Sequence, residues 1–267
     1  MRNKVFREEF YYFLNKFKNH ENFNLLRFSD GEVHVLQNRE CQLTGPETTR
    51  VEGLCDGKDG YYSIHGTPRP KYDQKHFQPQ NHSLFRDYLI ASFLYNSPNF
   101  YKGISCKCCV GDEHWNWQLS NLDGDSDNLT WSNVLLNSNY PLFMEEFYPE
   151  IKKRKAYVVC NESADLSLLP WVKHHFKIRT DVYDNFASYV IELKKYISKN
   201  NIKNKVFLFS ASSLSNILQY ELAKEFPENT YIDIGTTLSY EFGIPVLRGY
   251  IHQYYNNQPV TGNCIWG

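Results

Sequence analysis

KVFLFSASSLSNILQYELAKEFPENTYIDI, residues 205–234, decides the fold. Lys205–Phe209 is a short apolar run of strand length, and Thr230–Ile234 is a second. Between them Leu214–Lys224 reads as a helix, entered through the small residues Ser210-Ala211-Ser212-Ser213. Strand, helix and strand in close succession form a βαβ unit with parallel strands.

The same alternation extends toward the N-terminus. Ala156–Cys160 reads as a strand, Ala164–His174 as a helix and Lys177–Val182 as a strand, and Phe186, Val190, Leu193 and Ile197 mark a further helix. Phe6, Phe10, Phe13, Leu14 and Phe17 keep helical spacing at the start of the chain. The run Phe23–Phe28 is a strand that ends at Ser29-Asp30-Gly31-Glu32, with a helical stretch Val33–Asn38 after it. Residues 40–82 are rich in Gly and Pro and read as a long loop with a short hairpin. A helix over Ser83–Tyr95, capped by Ser83, leads to a strand at Phe100–Ser105. Residues 110–131 read as a second polar loop and Pro141–Ile151 as helical. The expectation is one α/β domain over residues 1–267, a mostly parallel sheet flanked by helices, with long loops over its carboxyl edge.

Composition narrows the function classes. A formal net charge of -1, from 29 basic and 30 acidic residues, gives no electrostatic reason to expect a nucleic-acid partner. No apolar stretch approaches the ~20 residues of a membrane helix. The charged start, MRNKVFREEF, lacks a signal-peptide core. A soluble, cytoplasmic protein of a reducing compartment is expected, the host cytoplasm if the source is viral. The cysteine number, seven, is odd, which fits that compartment. Cys106, Cys108 and Cys109 crowd together without a second C-x-x-C pair, so they read as small buried hydrophobes near a strand end.

Open parallel sheets bind ligands beyond the carboxyl ends of their strands. The residues there are Ser29-Asp30-Gly31-Glu32, Cys106-Lys107-Cys108-Cys109, Asn161-Glu162, Ser210-Ala211-Ser212-Ser213, and Asp233 followed by Gly235. Asp30 and Glu32 are candidate ligands of Mn²⁺ or Mg²⁺, if the chain turns at Gly31 so that both carboxylates converge. A solvated turn is the alternative. Arg27 suits a diphosphate or carboxylate, or an ion pair that orients Asp30 or Glu32. Free amides at Ser210, Ser212 and Ser213 suit an anion, unless the serines only cap the helix. His65 and Glu113-His114 are candidate bases for an acceptor hydroxyl, and Trp115 and Trp117 candidate faces for its sugar.

Leu26-Arg27-Phe28-Ser29-Asp30-Gly31-Glu32 resembles the R-F-G-D-G-E opening of bacterial glycosyltransferases of the GT-D fold, a Rossmann-like α/β architecture. Tyr101–Cys106 is similar to that family's G-I-P/S-C strand, Trp131–Tyr140 to the segment before its middle helix, and Phe209-Ser210-Ala211 with Tyr231-Ile232-Asp233-Ile234-Gly235 to its S-A-G…D-I-G unit. The resemblance implies a UDP-sugar donor and a metal held through Asp30 and Glu32. It also implies donor contact by Arg27, Ser210 and Asp233. Ser29 and Ser212 depart from the family, standing where glycine is usual. The implied activity is transfer of a sugar, glucose or xylose, to a glycan or glycoprotein acceptor. A metal-dependent hydrolase of nucleotide sugars or phosphate esters, and a non-catalytic carbohydrate-binding protein, are the alternatives.

Overall fold

The computed structural model describes residues 4–43, 75–122, 126–180, 182–246 and 248–260. The chain opens with α1 (Phe6–Lys18), whose five predicted apolar positions are all buried. Glu8 and Glu9 in its first turn and Lys16 and Lys18 in its last match the helix dipole. Then follow β1 (Asn24–Phe28), α2 (Asp30–Leu36), β2 (Cys41–Leu43), β3 (Lys75–Phe77), α3 (Ser83–Leu94), β4 (Phe100–Ile104), α4 (Lys107–Asn121) and β5 (Leu129–Trp131). After α5 (Tyr140–Leu142) a π-helical turn, Phe143–Phe147, leads into α6 (Tyr148–Arg154). The C-terminal part comprises β6 (Ala156–Asn161), β7 (Val172–Ile178), α7 (Phe186–Lys199), β8 (Val206–Ser210), α8 (Leu214–Glu225), β9 (Thr230–Asp233) and α9 (Gly249–Tyr255).

Seven strands form one sheet in the order β5-β4-β1-β9-β8-β6-β7. Every pairing in it is parallel. Strands β1, β4, β8 and β9 are buried almost throughout, as parallel strands covered on both faces must be. Successive residues of β4 show the two faces. Tyr101 meets Phe13 of α1, while Lys102 Nζ reaches the other way to the carbonyl of Phe93 at the end of α3. β2 and β3 pair antiparallel at the two ends of residues 40–82, and the stretch between them, where a short hairpin was expected, lies outside the described residues. No helix among the described residues is long and apolar enough to cross a membrane.

Two expectations are corrected. Residues 164–171 form turns, not the N-terminal part of a helix, and β7 begins at Val172, inside the predicted helix and ahead of the predicted strand. Two side chains stop a helix there. Asn161 Oδ1 accepts the N–H and hydroxyl of Ser163, and Asp165 Oδ1 accepts those of Ser167. Pro170 follows. The second correction is the polar loop of residues 110–131, most of which is α4 and β5. The buried stripe of α4 is Val110, His114 and Gln118, two of them polar, so a pattern of apolar residues does not reveal it. A smaller difference lies at α3, where His82 rather than Ser83 holds the N-cap position.

Candidate functional site

β1, β9 and β8 are neighbours at the centre of the sheet. After β1 the chain runs to β4 on one side, whereas β9 is reached from β8 on the other. The crevice at the carboxyl ends of β1 and β9 is therefore where an open parallel sheet takes its ligand.

Arg27 is the residue that joins these strands. Its Nε donates to the Ser132 carbonyl, just beyond β5, and its Nη2 to Ser29 Oγ at 3.4 Å. Its Nη1 lies 3.7 Å from Asp233 Oδ1 at the end of β9. Both side chains are largely buried, at 12% and 7% exposed. Asp233 Oδ1 also accepts the Gly235 N–H at 2.8 Å. Burial pushes the Asp233 carboxyl up to about 7, against the pull of Arg27 and the Gly235 N–H, and the Glu32 charge adds to the rise. Gly235 has φ +51°, and a Cβ there would overlap Arg27 Nη1, so a side chain would be strained and would displace Arg27.

Asp30 and Glu32 occupy the first turn of α2, which changes their geometry from that expected. Gly31 lies inside the helix and is not among the residues of positive φ, so the turn at Gly31 does not form. Residues two apart on a helix point to different sides. Ser29 and Glu32 form a reciprocal capping box, in which the Ser29 N–H donates to Glu32 Oε2 at 3.0 Å. Asp30 Oδ1 accepts the Gly31 N–H at 2.8 Å. Among the described residues these carboxylates do not gather with a third ligand into a cage. In this arrangement the two carboxylates do not converge, so an ion recruited with a substrate would meet one of them, and Mg²⁺ or Mn²⁺ commonly takes one or two carboxylates and completes its shell with phosphate oxygens and water.

The serine loop after β8 faces the same edge. Ser210 is opposite Ile234 by continuation of the β8–β9 register. Ser212 is exposed with φ +52°, a left-handed conformation that explains why glycine would be at home there. Ser213 is buried at the N-cap of α8 but makes no capping bond through its side chain. The Ala211 N–H is held by Ser215 Oγ at 3.0 Å.

The other predicted residues sit differently. Glu113 is exposed and bonded to Arg39 at 2.7 Å, which holds its carboxyl below the usual range and makes it a weaker base. Trp115 stacks on the buried Trp131 and Trp117 on Phe93, so these faces of the two indoles are engaged in packing. His114 is buried against His34, and burial lowers both pKa values, that of His34 to about 4. His65 lies outside the described residues.

Two polar residues near Arg27 carry signals that single-sequence reading misses. Both amide atoms of buried Asn133, next to Ser132, lack a partner among the described residues. Asn216 on α8 donates to the Arg27 carbonyl at 3.0 Å while its Oδ1 has no partner. Buried polar atoms of this kind usually meet water or another partner, and Asn24 Oδ1 and Trp171 Nε1 are in the same state elsewhere.

No protein-family profile matches the sequence, and no curated protein matches it. Solved structures do match. "A New Glycosyltransferase (DUF1792) from Streptococcus sanguinis" superposes with TM-score 0.56 at 11% identity, over 94% of this chain and 84% of that one. The chain shares the DUF1792 fold. A selenomethionine-substituted structure of domain of unknown function 1792 superposes with TM-score 0.50 at 12% identity, over 86% of this chain and 79% of that one. A third DUF1792 structure, described as having a distinct glycosyltransferase fold, gives 0.49 at 14% identity with the same coverages.

Proposed function

We propose that the chain is a metal-dependent glycosyltransferase that moves a sugar from a UDP-sugar to a glycan acceptor. The observation that carries this reading is the Arg27–Asp233 pair, held by Ser132 and Ser29 across the central crevice with Gly235 giving it room. Arg27 offers a positioned guanidinium fork to a diphosphate. The Ser212-Ser213 backbone would approach from the β8 side, the Ala211 N–H being held by Ser215. Asp30 or Glu32 would hold the Mn²⁺ or Mg²⁺, which when bound neutralises charge on the departing diphosphate. The chain's own groups then orient the donor, and no base is assigned to Glu113.

For the acceptor we propose a cavity in the C-terminal part of the chain. This cavity, of about 530 Å³, is lined by Tyr240, Ile244, Val246, Ile251 and Tyr255 among others. Tyr240 is 59% exposed and stacked on Tyr255 with centroids 4.0 Å apart, an aromatic face of the kind that meets a sugar ring.

The test is a donor screen with Mn²⁺ and with chelator, in the presence and absence of glycan acceptors. Turnover of a UDP-sugar that needs both metal and acceptor supports the reading. Turnover at the same rate without acceptor makes the protein a hydrolase, and failure of every nucleotide sugar to bind overturns both.

A further inference from the structure

Cys106, Cys108 and Cys109, expected to be buried hydrophobes, lie in or against the core, and the structure also gathers their sulfurs. Their three sulfurs all lie within 4.8 Å of one another, and Cys106 Sγ is 2.9 Å from Cys108 Sγ. A disulfide would place the sulfurs at about 2.05 Å. Three thiolates around one ion at ~2.3 Å stand about 3.8–4.0 Å apart, within the spread seen here. The backbone holds them in a single turn, closed by the N–H groups of Cys109 and Val110 on the Cys106 carbonyl at 3.0 and 3.2 Å. Gly111, with φ +75° and ψ 174°, separates that turn from the rest of α4. Cys106 is buried, while Cys108 and Cys109 are half-buried and give access from solvent.

We propose that these three cysteines form a thiolate site for a soft d¹⁰ cation, Zn²⁺ or Cu⁺. Soft sulfur ligands select such ions over the hard cations suited to Asp30 and Glu32. Three protein ligands satisfy a trigonal ion, or leave one position of a tetrahedral ion open. The deprotonated thiols supply the binding charge, so affinity rises with pH as protons are released. The site is independent of the transferase reading, since it uses none of the crevice residues.

The experiment uses the full chain, kept reduced and freed of metal. Cd²⁺ is titrated while ultraviolet sulfur-to-metal charge transfer is followed. Zn²⁺ and Cu⁺ are then titrated against competing chelators, which tell the two apart. One equivalent should bind, and the triple variant Cys106→Ser, Cys108→Ser, Cys109→Ser should lose it. Asp30→Asn should retain it, which separates this site from the crevice. If the triple variant does not fold, the half-buried single Cys108→Ser serves, with affinity expected to fall at least about tenfold. Equal binding by parent and variant overturns the site. So does a thiol count showing Cys106 and Cys108 oxidised to a disulfide in protein isolated without oxidant.

Discussion

The carboxyl ends of β6 and β1 both present short polar side chains to the same sheet edge. After β6, Asn161 and Asp165 turn back on their own chain and bind Ser163 and Ser167. Glu162 stands exposed beside Arg179 at 3.8 Å. After β1, the polar groups reach across strands, as Arg27 does to Ser132 and Asp233, and neighbouring Asn133 and Asn216 keep amide atoms without partners. Polar residues at a strand end are therefore insufficient to mark a site. What distinguishes the crevice is that its polar groups reach across strands, whereas those after β6 are held by their own chain.

The largest expected effect tests that contrast. Asp30→Asn should lower transfer by about 10²–10³-fold, as loss of one group stabilising developing charge does, with the circular dichroism spectrum unchanged. Asn161→Ala should leave the rate within about twofold and instead reduce stability by about 1 kcal/mol, because two short-range hydrogen bonds go. Equal losses of activity in the two variants would erase the distinction.

Gly235→Ala comes next. A left-handed φ costs a non-glycine residue about 1–2 kcal/mol, and the new methyl would also push Arg27 aside. A lower melting temperature together with weaker UDP binding is expected. Unaltered UDP affinity would show that the position of Arg27 is unimportant to the donor.

Lys102 sharpens the comparison from inside the sheet, where neighbouring oxygens satisfy a buried amine. Its amine bonds to the Phe93 carbonyl at 3.1 Å and Asn96 Oδ1 at 2.9 Å, and burial pushes its pKa down to about 8. The unfolded lysine titrates near 10.4, so between about pH 8 and 10.4 the unfolded chain holds the proton and the folded one does not. Stability should therefore rise with pH through that window. Lys102→Met should flatten the rise in denaturant titrations at several pH values and leave transfer untouched. A slope unchanged by the substitution would assign the pH dependence elsewhere.

The smallest effect belongs to Ser212→Gly. Glycine relieves a left-handed φ but gains freedom in the unfolded chain, so the net stabilisation should be about 1 kcal/mol or less. Thermal unfolding reads it, and a clear loss of stability would show that the serine side chain holds the loop.

The sequence by itself determined the elements whose apolar pattern is local. α1, β1 and the β8–α8–β9 unit stand where periodicity puts them, and with them the strand-end positions of Asp30, Ser210 and Asp233. Only the tertiary structure decided what those positions face. Arg27 and Asp233 meet because β1 and β9 are neighbours, a pairing between residues far apart in the chain that no spacing encodes. Asp30 and Glu32 lie on a helix because Ser29 and Glu32 cap each other, whereas the sequence reads as a turn at Gly31 with the helix starting at Val33. The helix α4 stayed hidden because the side chains it buries include His114 and Gln118, whose fit depends on partners supplied by other elements. The three thiols met for the same reason, since C-x-C-C states their order and only the turn before Gly111 sets their distances.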